Sequence, residues 1–230
     1  MMMMIKTRIY YCYLFLLVLF ASTVLHGQTK DFMTWYEAEF DMNLIKKVDL
    51  STEIEQRFRN NSLSYDRTML TFIARYDITD FLDIAGGVRA FLTTGNERHL
   101  ETRYRLHLDA RGSHSLGALG LSLRIRMHYG VNDLNEIDLV SSNNLVYRNS
   151  LEADYHIFGT RFGVFASVES YHLLSGNPPR KFNKMRYKVG TNYELNLKSE
   201  LSLRYMLEDE FNVVEPLQAH ILVLGYSMKL

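Results

Sequence analysis

Charged side chains of both signs recur at every second position in several stretches of this 230-residue chain. In residues 101–111 they include Arg103, Arg105 and Asp109, and the residues between them are mainly apolar. Alternation of this kind places the charged side chains on one face of a β-strand. Guanidinium and carboxylate groups form directional, bidentate pairs, so this face can build an ion-pair network or bind a charged solute.

The charges that share this face form a candidate lumen network on about eleven predicted strands. Its basic members are Arg57, Arg75, Arg89, Arg103, Arg105, Arg124, Arg126, Arg148 and Arg186. Its acidic members are Glu53, Glu55, Glu101, Asp109, Glu152, Asp154, Glu169 and Glu194. The adjacent segments with Arg103, Arg105, Arg124 and Arg126 give an arginine-rich stripe, which favours anions such as acidic sugars or phosphates. The alternative is a salt-bridged network that fills a narrow barrel.

Catalytic and metal-binding motifs are weak in this sequence. A serine nucleophile needs a histidine within hydrogen-bond reach and a group that orients the histidine. Ser122 and His128 share a face, but they lie six residues apart, roughly 20 Å along a strand. His107, His128 and His156 are expected to point inward, yet the HExxH motif is absent. We therefore predict no catalysis, no metal and no cofactor. An outer-membrane hydrolase or lipid-modifying enzyme is the alternative.

Composition narrows the class of protein further. The chain has 26 basic and 26 acidic side chains, and 47% of its residues are hydrophobic. This hydrophobic content excludes intrinsic disorder, and zero net charge argues against nucleic-acid binding. The single cysteine, Cys12, excludes a disulfide scaffold and a cysteine-based metal site.

The first 27 residues have the organisation of a secretory signal peptide. Lys6 and Arg8 precede an apolar run from Tyr11 to Ala21, and cleavage is expected after Gly27. An uncleaved anchor is the alternative, but the run is shorter than the roughly 20 residues of a transmembrane helix. Residues 28–230 are predicted to form a single domain.

About eleven segments of 10–13 residues alternate in hydropathy, with short and long connections between them. The pattern predicts an all-β, up-and-down antiparallel barrel. A lipocalin-type barrel would put the apolar face inside, whereas a transmembrane barrel puts it outside against lipid. Strand length, alternating connections and an apolar C-terminal strand favour the transmembrane form. We expect 10–12 strands, with twelve preferred because bacterial single-chain barrels have even counts.

Aromatic residues near the strand ends of the apolar face predict two girdles at the membrane interfaces. One girdle lies beside the long connections and the other beside the short ones. Their members are Phe58, Tyr129, Tyr147 and Tyr187, and Tyr76, Tyr155, Phe162 and Tyr193. Two long connections, residues 130–144 and 172–183, offer a further alternative, a surface binding module that acts through these loops.

Several short motifs resemble a known family. They are Trp35, Glu53–Phe58, Ala74–Tyr76, Gly86–Arg89 and Glu101–Arg105. With these residues the chain is similar to the Gram-negative outer-membrane β-barrel proteins of domain-of-unknown-function family 2490. The resemblance covers about residues 35–230 and implies fold and location without adding chemistry.

The predicted protein is therefore a monomeric outer-membrane barrel of a Gram-negative bacterium. We expect it to be a small-solute channel, with anions favoured, or an envelope-structural barrel with a salt-bridged lumen. Its expected partners are outer-membrane lipid, lipopolysaccharide and the barrel-assembly machinery.

Overall fold

The structure is a computed structural model that describes residues 29–94, 100–131, 145–175, 181–213 and 215–230. The predicted signal peptide, residues 1–27, lies outside these ranges. So do residues 132–144, which are most of the first predicted binding loop, and residues 176–180, the middle of the second. Within the described ranges, no helix has the length and hydropathy of a membrane-spanning segment.

Eleven β-strands account for nearly all of the described residues. They are β1 (Thr29–Ile45), β2 (Val48–Arg59), β3 (Ser64–Thr79), β4 (Leu82–Thr94), β5 (Leu100–Leu116), β6 (Leu119–Val131), β7 (Leu145–His156), β8 (Phe162–Leu173), β9 (Lys181–Asn196), β10 (Ser199–Glu210) and β11 (Leu217–Lys229). Each strand pairs with its neighbours in the chain, and β1 also pairs with β11. The sheet is therefore a closed up-and-down barrel, which confirms the predicted fold class.

The strand count lies within the predicted range of 10–12, but the preferred count of twelve is wrong for the described chain. The even count assumed that the first and last strands close the barrel in antiparallel fashion. Instead β1 and β11 are parallel and stay in register from the Thr29–Leu217 pair to the Asp41–Lys229 pair. A parallel closing pair lets an odd number of strands complete the hydrogen-bonded ladder.

Buried and exposed side chains alternate along the strands. The exposed ones are mainly apolar and the buried ones include many charged residues, which is the reverse of a water-soluble barrel. Leu106 and Leu108 on β5 are 50% and 70% exposed, whereas Arg105 and His107, which alternate with them, are 7% and 4% exposed. Apolar side chains therefore cover the outside and charged side chains fill the inside. This is the arrangement of a barrel that faces lipid.

The two ends of the barrel differ in their connections. Tight turns join the strand pairs β1–β2, β3–β4, β5–β6, β7–β8 and β9–β10 at the turn end, and Lys47, Gly117 and Gly159 take positive φ angles there. The other five connections leave from the opposite end, called here the loop end. These are residues 60–63, 95–99, 132–144, 174–180 and 211–216.

The structure places the predicted girdle residues on the outer face near the strand ends. Phe58, Tyr129, Tyr147 and Tyr187 lie towards the loop end, and Tyr76, Tyr155, Phe162 and Tyr193 lie towards the turn end. The rings of Phe162 and Tyr193 pack with centroids 4.8 Å apart. Phe58 packs edge-on against Tyr36 at 6.0 Å.

Candidate functional site

The lumen contains a cluster of cations around one carboxylate, Glu169 on β8, which has no solvent exposure. Nη2 of Arg148 lies 2.6 Å from its carboxylate and Nζ of Lys188 lies 2.8 Å away. Arg124 and Arg186 follow at 3.2 Å and 3.6 Å. Strands β6, β7 and β9 each contribute to this cluster, so one negative charge faces four positive ones.

A second ion-pair cluster extends from Arg186 towards the loop end. Glu208 on β10 accepts a hydrogen bond from Nε of Arg186 at 2.8 Å and one from Nζ of Lys184 at 2.8 Å. Lys184 also lies 3.6 Å from Glu210. Lys184 and Glu210 were not among the predicted lumen residues, because both lie near the loop end of their strands, where the alternation in the sequence begins or stops.

The opposite wall, formed by β1 and β2, is rich in carboxylates. Glu53 pairs with Arg89 at 2.9 Å, and Glu55 pairs with Arg57 at 2.6 Å. Glu37 on β1 pairs with Arg204 on β10. The contacts of Glu53 and Glu37 cross between strands and tie the acidic wall to its neighbours, whereas the Glu55–Arg57 pair lies within β2.

Other members of the predicted network pair near the turn end or along β5 and β6. Asp109 accepts hydrogen bonds from Arg126 at 2.6 Å and 2.5 Å. Asp83 lies between Arg75 at 3.6 Å and Arg111 at 3.0 Å.

The remaining predicted network residues are less uniform. Arg103 and Glu152 are half-buried, and Arg105 is buried with its guanidinium carbon 4.7 Å from the centroid of the Phe91 ring. Asp154 and Glu194 are exposed near the turn end. The side chain of Glu101 lies outside the described part of the structure.

A chamber of about 200 Å³ lies inside the barrel between these clusters. Four carboxylates line it, and all come from β1 and β2. They are Glu37, Glu39, Glu53 and Glu55. Nine cations also line it, and eight of them come from β4–β10. They are Arg57, Arg89, Arg105, Arg124, Arg126, Arg148, Arg186, Lys188 and Arg204. The charges are therefore segregated across the lumen.

Trp35 separates this chamber from a second cavity of about 460 Å³ towards the loop end. Its ring is 4% exposed, and the guanidinium carbons of Arg57 and Arg186 lie 3.5 Å and 5.4 Å from its centroid. All three residues line both cavities, so they form a partition across the lumen. Trp35 was not among the predicted lumen residues, although its alternation with Glu37 and Glu39 was the signal for an inward position.

Comparison with known protein families identifies the family of this chain. The family model described as a protein of unknown function, DUF2490, matches residues 32–213. The chain belongs to this family. Among solved structures it is similar to one described as the NanC porin in a rhombohedral crystal form, with 13% identity and a TM-score of 0.50. The match covers 77% of this chain and 86% of that chain, and it concerns the fold. Comparison with curated proteins gives no match.

The three histidines that were expected to point inward in this DUF2490 barrel do not converge on one site. His107 and His128 are buried and lie opposite each other on β5 and β6. His156 shares the lumen-side alternation of Ser150 and Glu152 on β7, but it is exposed at the turn end and does not join the other two. In the described ranges, no group of three or more metal-ligating side chains is placed to hold an ion.

The serine considered as a nucleophile from sequence has no histidine beside it on its neighbouring strands. Ser122 lies opposite Ser113 on β5 and Glu152 on β7. His128 lies six residues along the same strand, opposite His107. The structure therefore does not bring this pair together.

Proposed function

We propose that this DUF2490 barrel is an outer-membrane channel that passes small anions. The observation that carries the proposal is the lining of the lumen chamber, where nine cations face four carboxylates. Three further carboxylates lie behind this lining, on Asp109, Glu169 and Glu208. With these three included, the nine cations of the lining still outnumber the seven carboxylates by two. Glu208 also pairs with a further cation, Lys184.

The segregation of charge supports passage rather than simple filling of the lumen. Carboxylates on β1 and β2 face cations on β4–β10, so an electric field runs across the chamber. A pore whose walls have low dielectric focuses such a field and raises the local concentration of ions of opposite sign. Rings of arginine and lysine favour anions in pores.

The aromatic contacts of the arginines also suit anion binding. Arg148 and Arg186 have their guanidinium carbons 4.9 Å and 5.3 Å from the centroid of the Tyr171 ring. A cation–π contact of this kind engages the face of the guanidinium group. Its N–H groups then remain directed in the plane, where they can donate to an oxyanion.

The location of the channel is part of the same proposal. Residues 1–27 would direct export, and the barrel would then be inserted in the outer membrane of a Gram-negative bacterium. The apolar outer face and the aromatic residues at both ends support a position in a bilayer. Lipid and lipopolysaccharide would be its immediate surroundings there.

The test is single-channel recording of protein purified from the outer-membrane fraction, in a planar bilayer with a salt gradient. We expect a reversal potential that shows anion selectivity. Replacing Arg124 and Arg126 with Gln should reduce that selectivity, because both line the chamber. The control is Arg111→Gln, which also removes an arginine charge. Arg111 lies near the turn end, outside the chamber lining, so this substitution should change selectivity less than Arg124→Gln or Arg126→Gln alone. Cation selectivity in the native protein would overturn the proposal.

An envelope-structural barrel with a closed lumen is the second candidate. The partition of Trp35, Arg57 and Arg186 favours it, because these buried groups separate the two lumen cavities. A folded, inserted protein that never conducts ions would support this candidate and contradict the channel.

A further inference from the structure

Three polar side chains lie together on the outer, lipid-facing surface near the loop end. They are Asn149 on β7 and Ser170 and His172 on β8. Their strands place them outside, because the alternate residues Glu169 and Tyr171 are buried in the lumen. Three polar side chains in contact interrupt the otherwise apolar outer face, so the group requires an explanation.

Ser170 contacts both of the other side chains. Nε2 of His172 lies 3.3 Å from Oγ of Ser170. Nδ2 of Asn149 donates a hydrogen bond to the same Oγ at 3.4 Å, and Asn149 and Ser170 lie directly opposite each other in the ladder. A serine hydroxyl within hydrogen-bond distance of an imidazole meets the first requirement for a nucleophile activated by a general base, and a nearby amide N–H can donate to a developing oxyanion.

Two aromatic rings flank the imidazole of His172. The centroid of Tyr147 lies 5.9 Å from that of His172, and the centroid of Phe182 lies 5.3 Å away. The pairing of β8 with β9 also shifts by one residue between Tyr171 and His172. Such bulges redirect side chains and occur beside active sites.

The height of this group on the barrel matches the position of lipid esters. Tyr147 belongs to the aromatic residues at the loop end, and girdles of this kind lie at the level of the lipid headgroups. The ester bonds that join acyl chains to a phospholipid lie at the same boundary. A lipid in the surrounding leaflet would therefore present its ester carbonyl beside Ser170 by lateral diffusion.

We propose that Ser170 and His172 form a catalytic dyad that hydrolyses acyl esters of membrane lipids, with Asn149 as the donor to the oxyanion. This activity goes beyond the proposed channel and uses the opposite face of the barrel wall. The neighbouring Tyr147 and Phe182 fix the imidazole and offer an apolar surface to the acyl chain.

The reaction balances with water as the co-reactant. Nε2 of His172 accepts the proton of the Ser170 hydroxyl as Oγ attacks the ester carbonyl carbon. The amide N–H of Asn149 donates to the oxygen that becomes negative. The bond from carbon to the leaving alkoxide then breaks, and His172 gives its proton to that oxygen, which releases a lysolipid. Water, deprotonated by His172, attacks the acyl-serine, so a fatty acid leaves and Ser170 regains its proton.

The test uses purified full-length barrel in vesicles of diacyl phosphatidylethanolamine and phosphatidylglycerol, with free fatty acid as the readout. We expect release from these vesicles and none from vesicles of dialkyl ether analogues, which contain no acyl ester. A fluorophosphonate probe should label the native protein on Ser170, located by mass spectrometry of the adduct.

Single substitutions separate catalysis from a merely structural hydrogen bond. Ser170→Ala and His172→Gln should reduce fatty-acid release by at least about 10³-fold, and Asn149→Ala should lower kcat by about 10²–10³-fold. Ser122→Ala, on the lumen face, and His220→Gln, an outward histidine on β11, are matched controls that should retain release. Circular dichroism and heat-dependent gel migration verify that each variant is folded.

Two results would overturn this proposal. One is no fatty-acid release by folded native protein in ester-linked vesicles. The other is release that survives Ser170→Ala unchanged, which would assign the activity to a different residue or to a contaminant. Conductance is independent of this site, so Ser170→Ala should leave ion selectivity as in the native protein.

Discussion

At the scale of single residues, Glu169 gives the sharpest prediction. It is fully buried and lies within 3.6 Å of four cations. Glu169→Gln keeps the shape of the side chain and leaves those cations without their shared counter-ion. Loss of one partner from a buried ion pair costs about 3–5 kcal/mol, so we expect the free energy of unfolding to fall by about that amount.

Urea titration measures this change, with the emission of Trp35, the only tryptophan in the chain, as reporter. Glu53→Gln is the matched control, because Glu53 pairs with Arg89 but its side chain is 30% exposed. Its cost should stay within about 1 kcal/mol, as for partly exposed pairs. Equal effects of the two substitutions would show that burial does not set the strength of these contacts.

The facing of most charged residues could be predicted, because a strand alternates strictly and a one-residue error would invert every side chain. The cluster at Glu169 could not, since its partners come from three other strands and depend on the registers between them. The group of Asn149, Ser170 and His172 was missed for another reason. The catalytic candidates predicted from the sequence, Ser122 and His128, lie on the charged face, whereas the signal for this group was a polar interruption of the apolar face.

At the scale of strands, the parallel closure of β1 on β11 can be tested by cross-linking. Ala38 and Tyr226 are directly paired on the outer face of this seam. Cysteines at these two positions, in a background that lacks Cys12, should form a disulfide, because neighbouring strands bring paired residues within disulfide range. The measurement is non-reducing electrophoresis after mild oxidation, followed by peptide mapping.

An offset pair controls for nonspecific oxidation. Leu222 also faces outward on β11, but its partner on β1 is Thr34 rather than Ala38. Cysteines at Ala38 and Leu222 should therefore cross-link poorly. Efficient reaction of the offset pair, or none at Ala38 and Tyr226, would contradict the parallel register.

Alternation in the sequence does not determine how the barrel closes, and the strand count shows this. Periodicity locates strands and their faces, but it says nothing about which strands meet when the sheet closes. β1 and β11 both start at the loop end, so an antiparallel closure would require one additional strand. The parallel pair from Thr29 to Asp41 removes that requirement.

At the scale of the whole molecule, Trp35 determines whether the lumen is one space or two. It lines both the cavity of about 460 Å³ at the loop end and the chamber of about 200 Å³ that lies further inside the barrel. Trp35→Ala should join them, because the ring that fills the space between Arg57 and Arg186 is removed. We expect a larger single-channel conductance in the same planar bilayers.

The matched control for this substitution is Phe91→Ala. Phe91 is also a buried lumen aromatic, 1% exposed and 4.7 Å from an arginine guanidinium, yet it lines neither cavity. Both changes should cost about 3–5 kcal/mol of stability, as for other buried aromatic residues replaced by alanine. Only Trp35→Ala should raise conductance, because only that ring stands between the cavities. If both variants conduct as the native protein does, the solute path does not cross the partition, and the closed structural barrel becomes the better description.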